Sequence, residues 1–128
     1  MLDHLDHLVL TTRDPRRSID FYTRVLGMRL ETFGEGRNAL RFGDQKINLH
    51  VFGSEFEPKA ERPTPGSLDL CFIASVPLAE VIERLSASGV PVIEGPVRRT
   101  GAAYPIMSVY VRDPDMNLIE IAERADGP

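Results

Sequence analysis

The chain contains no tryptophan and a single cysteine, Cys71. One cysteine excludes an internal disulfide, so nothing in the composition asks for an oxidising compartment. Long hydrophobic runs are also missing: no segment approaches the roughly 18 apolar residues that span a bilayer. Charge of one sign is not concentrated anywhere. Fifteen basic side chains face nineteen acidic ones for a net charge of −4, and their dispersal excludes a nucleic-acid footprint. The opening Met1-Leu2-Asp3-His4 has neither the basic start nor the apolar stretch of a secretion signal. These absences predict a protein of the cytoplasm with no nucleic-acid or membrane partner. Cys71 lies in an apolar, strand-like run, which predicts a buried and inert thiol.

What the sequence does have is a repeat. At an offset of 62 residues Leu8 meets Leu70, Leu10 meets Phe72 and Pro15 meets Pro77. The same offset pairs Ile19 with Val81, Gly27 with Gly89, and Leu30 with Val92. Asp14 and Ser75 are placed to cap helix starts, and the prolines fall in or near the first helical turn. Ile19, Tyr22, Val25 and Leu26 keep helical spacing, as do Leu78, Val81, Ile82 and Leu85. Gly27 and Gly89 stand where a helix ends in a left-handed residue. Three strand candidates follow each helix, at 29–34, 37–42 and 46–52, then at 92–98, 104–111 and 117–123. The fold expected is α+β: tandem βαβββ modules forming two curved four-stranded sheets around a cleft. All 128 residues make a single domain, within the normal size range. Module 1 is expected over about 1–53, a proline-rich linker over about 54–66, and module 2 over about 67–123.

Strand alternation sorts the side chains into faces. Leu8 and Leu10 turn to the helix, so His7, Val9 and Thr11 turn to the cleft. Ile47, Leu49 and Val51 leave Asn48, His50 and Phe52 on the cleft side. In the second module Asp69 and Cys71 face inward, as does Glu120 on the last strand. The offset of 62 relates His7 to Asp69, and an offset of 70 relates His50 to Glu120. Four ionisable groups on inner faces need partners, because burying one alone costs several kcal/mol. A divalent cation bound by two imidazoles and one or two carboxylates satisfies them together. Arg41 and Tyr110, at an offset of 69, stand at equivalent inward positions. Arg41 is placed either to hold a substrate carboxylate or phosphate or to pair with Asp69 or Glu120. His4, one residue out of phase, is expected in solvent, as is the basic loop Arg98-Arg99-Thr100-Gly101-Ala102-Ala103-Tyr104.

Three stretches carry a family resemblance: Leu5-Asp6-His7-Leu8-Val9, Phe21-Tyr22-Thr23-Arg24-Val25-Leu26-Gly27-Met28, and Asp113-Pro114-Asp115-Met116-Asn117-Leu118-Ile119-Glu120. With Asn48-Leu49-His50 and Pro65-Gly66-Ser67-Leu68-Asp69-Leu70-Cys71, the chain resembles the vicinal oxygen chelate superfamily. That superfamily includes glyoxalases, bleomycin resistance proteins and extradiol dioxygenases, and the chain looks closest to the glyoxalase-domain-containing protein 5 group. The resemblance implies a homodimer and a metal-dependent, glyoxalase-like lyase or isomerase acting on a small anionic oxygenated substrate. His7, His50 and Glu120 would hold the divalent metal (Mn, Fe, Ni, Co or Zn). Glu120 and Asp69 would be the catalytic carboxylates, with Asp69 a base or a fourth ligand. Arg41, Asn48 and Tyr110 would bind substrate. Two departures stand out: Asp69 where histidine is usual, and His50 where bacterial glyoxalase I has a carboxylate. A ring-cleaving iron dioxygenase, a drug-binding resistance protein and a fosfomycin-type thiol transferase are the alternatives.

Overall fold

A computed structural model describes residues 1–125. The elements follow the expected order. They are β1 (His7–Thr12), α1 (Pro15–Asp20) running into a wide-turned stretch at Phe21–Val25, β2 (Arg29–Phe33), β3 (Arg37–Phe42) and β4 (Gln45–Val51). Then come β5 (Asp69–Ile73), α2 (Leu78–Ala87), β6 (Glu94–Thr100), β7 (Pro105–Arg112) and β8 (Leu118–Arg124). Among the described residues no helix is long and apolar enough to cross a membrane. Two four-stranded mixed sheets result, ordered β1-β4-β3-β2 and β5-β8-β7-β6. In each, the first and last strands of the module pair in parallel, and the remaining pairs are antiparallel.

The first compact unit comprises Met1–Leu68 together with Pro114–Met116. Its core is built by the alternation read from the sequence: Leu10, Leu40, Ile47 and Leu49 are buried on one face of the sheet. Against them the helical segment turns Phe21, Tyr22, Val25 and Met28, all buried. The stretch Phe21–Val25 is π-helical, with the Leu26 amide bonded to the Phe21 carbonyl at 3.1 Å. Such widening is rare outside single turns, and here it carries Phe21 and Tyr22 into the core side by side, rings edge to face at 5.1 Å. The Asp14 carboxylate accepts from the Arg17 amide at 3.2 Å, the expected cap. Gly27 closes the segment at φ 78°.

One buried carboxylate ties this unit together. Asp115 accepts from the Thr12 hydroxyl at 2.5 Å, from the Arg13 amide at 3.0 Å and from the Ser18 hydroxyl at 3.3 Å. Thr12 and Ser18 are fully buried and bonded to each other at 2.7 Å. The end of β1 and the start of α1 are thereby fixed to Pro114–Met116. Gly66 lies against the same segment. A Cβ there would sit 2.6 Å from the Asp115 carbonyl oxygen, and its φ is 82°, so both space and backbone require glycine.

The second unit comprises Asp69–Asp113 and the chain from Asn117 on. Leu78, Val81 and Leu85 of α2 are buried, as are Val109, Val111, Ile119 and Ile121 of β7 and β8. Ser75 does not cap α2. The first residue outside the helix is Pro77, and the Glu123 carboxylate of β8 instead accepts from the Leu78 amide at 2.9 Å. A negative group at a helix N-terminus is favourable whichever strand supplies it.

Replacing Asp115 by alanine removes three charge-assisted hydrogen bonds at once. The expected loss is about 3 kcal/mol or more in urea denaturation; a loss below about 1 kcal/mol would show that the carboxylate does not hold the unit together.

Candidate functional site

The parallel ladders decide which inner-face residues are neighbours. In the first unit Val9 is level with Asn48 and Thr11 with His50. In the second, Cys71 is level with Glu120. Cys71 is the repeat partner of Val9 at the offset of 62, so the counterpart of Glu120 is Asn48, not His50. The antiparallel ladders correct a second pairing in the same way. Ala39 is level with Asn48 and Tyr110 with Glu120, whereas Arg41 is level with Lys46 and Arg112 with Leu118. Arg41 thus matches Arg112, and Tyr110 matches Ala39. The sequence places each residue on the right face but one step along the pleat from its true counterpart.

This register bears directly on the expected metal. His7 is level with Lys46, four residues before His50. Four residues of strand are about 13 Å. Two imidazoles on one ion must both come within about 2.0–2.1 Å of it, so His7 and His50 are not brought together as co-ligands. Among the described residues, no three of His, Cys, Asp and Glu gather closely enough to hold a metal ion. His7 and His50, two of the three expected ligands, do not meet in this structure, and no catalytic step is assigned to a metal.

His7 is exposed, its Nδ1 paired with the Asp6 carboxylate at 2.8 Å. His4 is exposed and pairs with Asp3, as expected of a solvated residue. Asp69 is exposed at the start of β5. Glu120 is half-buried and accepts from the Ser108 hydroxyl at 2.6 Å. Cys71 is exposed, not buried, on β5, the edge strand of its own sheet. Its thiol nevertheless stays protonated. Crowding by protein atoms and the nearby Glu120 carboxylate push it up to about 11, so open solvent access does not make it a nucleophile. Tyr110 accepts from Arg99 Nε at 2.9 Å, and Arg99 also reaches Glu94 at 3.3 Å. The basic loop is therefore partly committed to its own sheet.

Arg41 is engaged within its own sheet. Its Nε donates to Glu31 Oε2 at 2.6 Å, and this pairing holds Glu31 below the usual carboxylate range. Arg41 Nε is therefore committed to an internal ion pair.

The residue set apart by the structure is His50. It is 3% exposed, and among the described residues neither ring nitrogen has a hydrogen-bond partner. Asn48 Oδ1, one pleat away on the same face, is also buried and unpartnered. Leaving a buried polar group unsatisfied costs about 1–3 kcal/mol, so such atoms mark places built for something beyond stability. Burial, then the Arg37 charge, hold the His50 imidazole below its ordinary value, with Glu55 opposing weakly. The ring is neutral at pH 7. It lies in the wall of a pocket of about 420 Å³, with Val9 and Thr11 of β1 beside it. The rest of the wall is Pro58–Ala60 and Arg62–Thr64, from the segment read as a plain linker, with Ser67 and Leu68 just after it. Lys59 is bonded to Glu57 at 2.7 Å, which leaves Arg62 as the pocket's better partner for an anion.

The whole arrangement has known relatives. The chain matches the Glyoxalase/Bleomycin resistance protein/Dioxygenase superfamily over residues 4–121, and it belongs to that superfamily. It is 58% identical over 122 residues to the glyoxalase domain-containing protein RDO1 of Mycosarcoma maydis, covering 95% of this chain and 69% of that protein. It is 56% identical over 123 residues to virulence protein STM3117 of Salmonella typhimurium, covering 96% and 85%. The crystal structure of that Salmonella protein superposes with a TM-score of 0.96 over 98% of this chain and 99% of that one. A lactoylglutathione lyase from Agrobacterium tumefaciens superposes at 0.74 with 22% identity, covering 96% and 95%, and shows the shared fold alone.

A histidine whose folded value is depressed must take up a proton as the protein unfolds in acid. Stability is then fully present above the unfolded value near 6.5 and falls as pH drops through the folded value. The His50→Gln variant should lose this part of the acid sensitivity in denaturant melts between pH 7 and pH 5. An unchanged pH profile would mean that His50 is not held neutral by burial.

Proposed function

We propose that this superfamily member is a lyase or isomerase that binds a small anionic oxygenated molecule against His50. The observation that carries the reading is the buried, unpartnered, neutral imidazole in the wall of a pocket edged by Arg62 and Lys59. A neutral imidazole is the usual proton acceptor near pH 7. In this reading it takes a proton from a carbon next to a carbonyl. The electron pair of that C–H bond moves toward oxygen, and the positive side chains at the pocket edge stabilise the charge that develops. The same imidazole returns the proton to the neighbouring atom, so the isomerisation balances without a co-reactant. The Thr11 hydroxyl, beside His50 on β1, is available to orient the oxygen.

Superfamily members commonly bind a divalent metal. His7 has the preparation of a ligand, since a carboxylate on Nδ1 fixes the tautomer and turns Nε2 outward. A single histidine is not a metal site, and the proposal does not rest on it. A homodimer belongs to the same reading, because β1 and β5 are unpaired sheet edges carrying the exposed apolar residues Val9 and Ile73.

A drug-binding role without catalysis is the second reading, and the pocket alone serves it equally well. Deuterium exchange separates the two. The protein in heavy water, offered small 2-oxo carboxylates, should wash deuterium into the carbon beside the carbonyl. His50→Gln should lower that exchange by about 10²–10⁴-fold, the usual size of general-base catalysis, with binding changed only a few-fold. Binding without exchange would favour the drug-binding reading.

A further inference from the structure

Four residues before Arg41 on β3, and on the same face, stands Arg37. The β3–β4 pairing ends at Ala39 and Asn48; Arg37 lies two residues before Ala39, near enough for its charge to act on His50. Its guanidinium carbon lies over two phenyl rings, 5.1 Å from the centroid of Phe33 and 4.6 Å from that of Phe56. Phe56 in turn meets the His50 ring edge to face at 5.7 Å. Among the described residues no carboxylate pairs with Arg37, in contrast to Arg41.

We propose that Arg37, packed over the rings of Phe33 and Phe56, is the receptor for a carboxylate or phosphate oxyanion of a ligand that reaches His50. Stacking uses the faces of a guanidinium and leaves its N–H donors in the plane free, in the fork that matches two oxygens. The flanking rings restrict the side chain before a ligand arrives, which lowers the entropy lost on binding. Arg37 is not part of the wall of the 420 Å³ pocket. A ligand meeting both therefore extends past His50 along the sheet face, with its acid group on the Phe56 side. This inference rests on the proposed function and deepens it: the substrate class becomes an oxyacid whose charged group lies about one side chain from the carbon that gives up the proton.

The same placement gives a signature beyond affinity. Arg37 is the main charge acting on His50, with Glu55 acting the other way, and Lys59 and Arg62 are the cations that share its pocket wall. An oxyanion on Arg37 cancels that positive field, so His50 should take up a proton more readily once the ligand is bound.

The experiment is an NMR titration of the His50 ring protons in the full chain, with pyruvate, inorganic phosphate and uncharged methyl pyruvate as probes. The expected result is saturable binding of pyruvate or phosphate, a raised His50 midpoint in the complex and no response to methyl pyruvate. Whichever of the two anions binds more tightly identifies the acid group. Arg37→Lys, which keeps the charge but loses the fork, should weaken binding at least ten-fold, and Arg37→Gln should abolish the shift of the midpoint. Arg41→Gln should stay within two-fold of wild type. Phe56→Leu should weaken binding several-fold, and its melting curve shows whether it folds. Wild-type affinity in Arg37→Lys, or equal binding of methyl pyruvate, overturns the proposal. Arg37-dependent binding without deuterium exchange would leave the receptor standing and remove the catalytic reading. Exchange that ignores Arg37 would do the reverse.

Discussion

The parallel pairing of the first and last strands in each module is the constraint on which the site depends. Pleating allows only every second side chain onto the inner face, and the ladder fixes which of those stand level. Val9 with Asn48 and Thr11 with His50 are such rungs in the first unit, and Cys71 with Glu120 is one in the second. Once the rungs are set, His50 falls under the segment that follows β4, where Phe56 and the 58–68 stretch enclose it. His7 falls four residues away, outside that enclosure and in solvent. The chemistry available to each histidine follows from this difference. One is a desolvated neutral base, the other a solvated side chain tied to Asp6.

The fold was legible in the sequence because several independent signals agreed. Apolar spacing, Asp14 with Pro15, and the paired glycines at helix ends recur in both halves, and such consistency across levels is what specifies a structure. The faces of the strands were legible too, since alternation needs only parity. What parity cannot give is the rung. Asn48 and His50 share a face, as do Arg37 and Arg41, and loop lengths alone do not say which of each pair meets its counterpart. The equivalence of His50 with Glu120, and of Arg41 with Tyr110, failed for that reason.

Other differences have equally local causes. Cys71 has the sequence of a core strand, but a strand is buried only if something lies beyond it, and β5 is an edge. Ser75 has the chemistry of a helix cap, yet Glu123, distant in sequence, reaches the helix start first. The segment between the modules has the composition of a linker, with three prolines and four charges in ten residues. In the structure Pro65 is buried and the stretch supplies most of the pocket wall around His50. Proline and charge describe the backbone of such a segment, not what it covers.

The central claim is that His50 is a neutral, unpartnered base in the ligand-free protein. The ¹⁵N chemical shifts of its two ring nitrogens at pH 7 test this most directly, because a bare nitrogen, a protonated one and an imidazolium resonate apart. The account predicts one protonated and one bare nitrogen, with no change until the pH falls below the ordinary histidine value of about 6.5. An imidazolium at pH 7, with both nitrogens protonated, would contradict it.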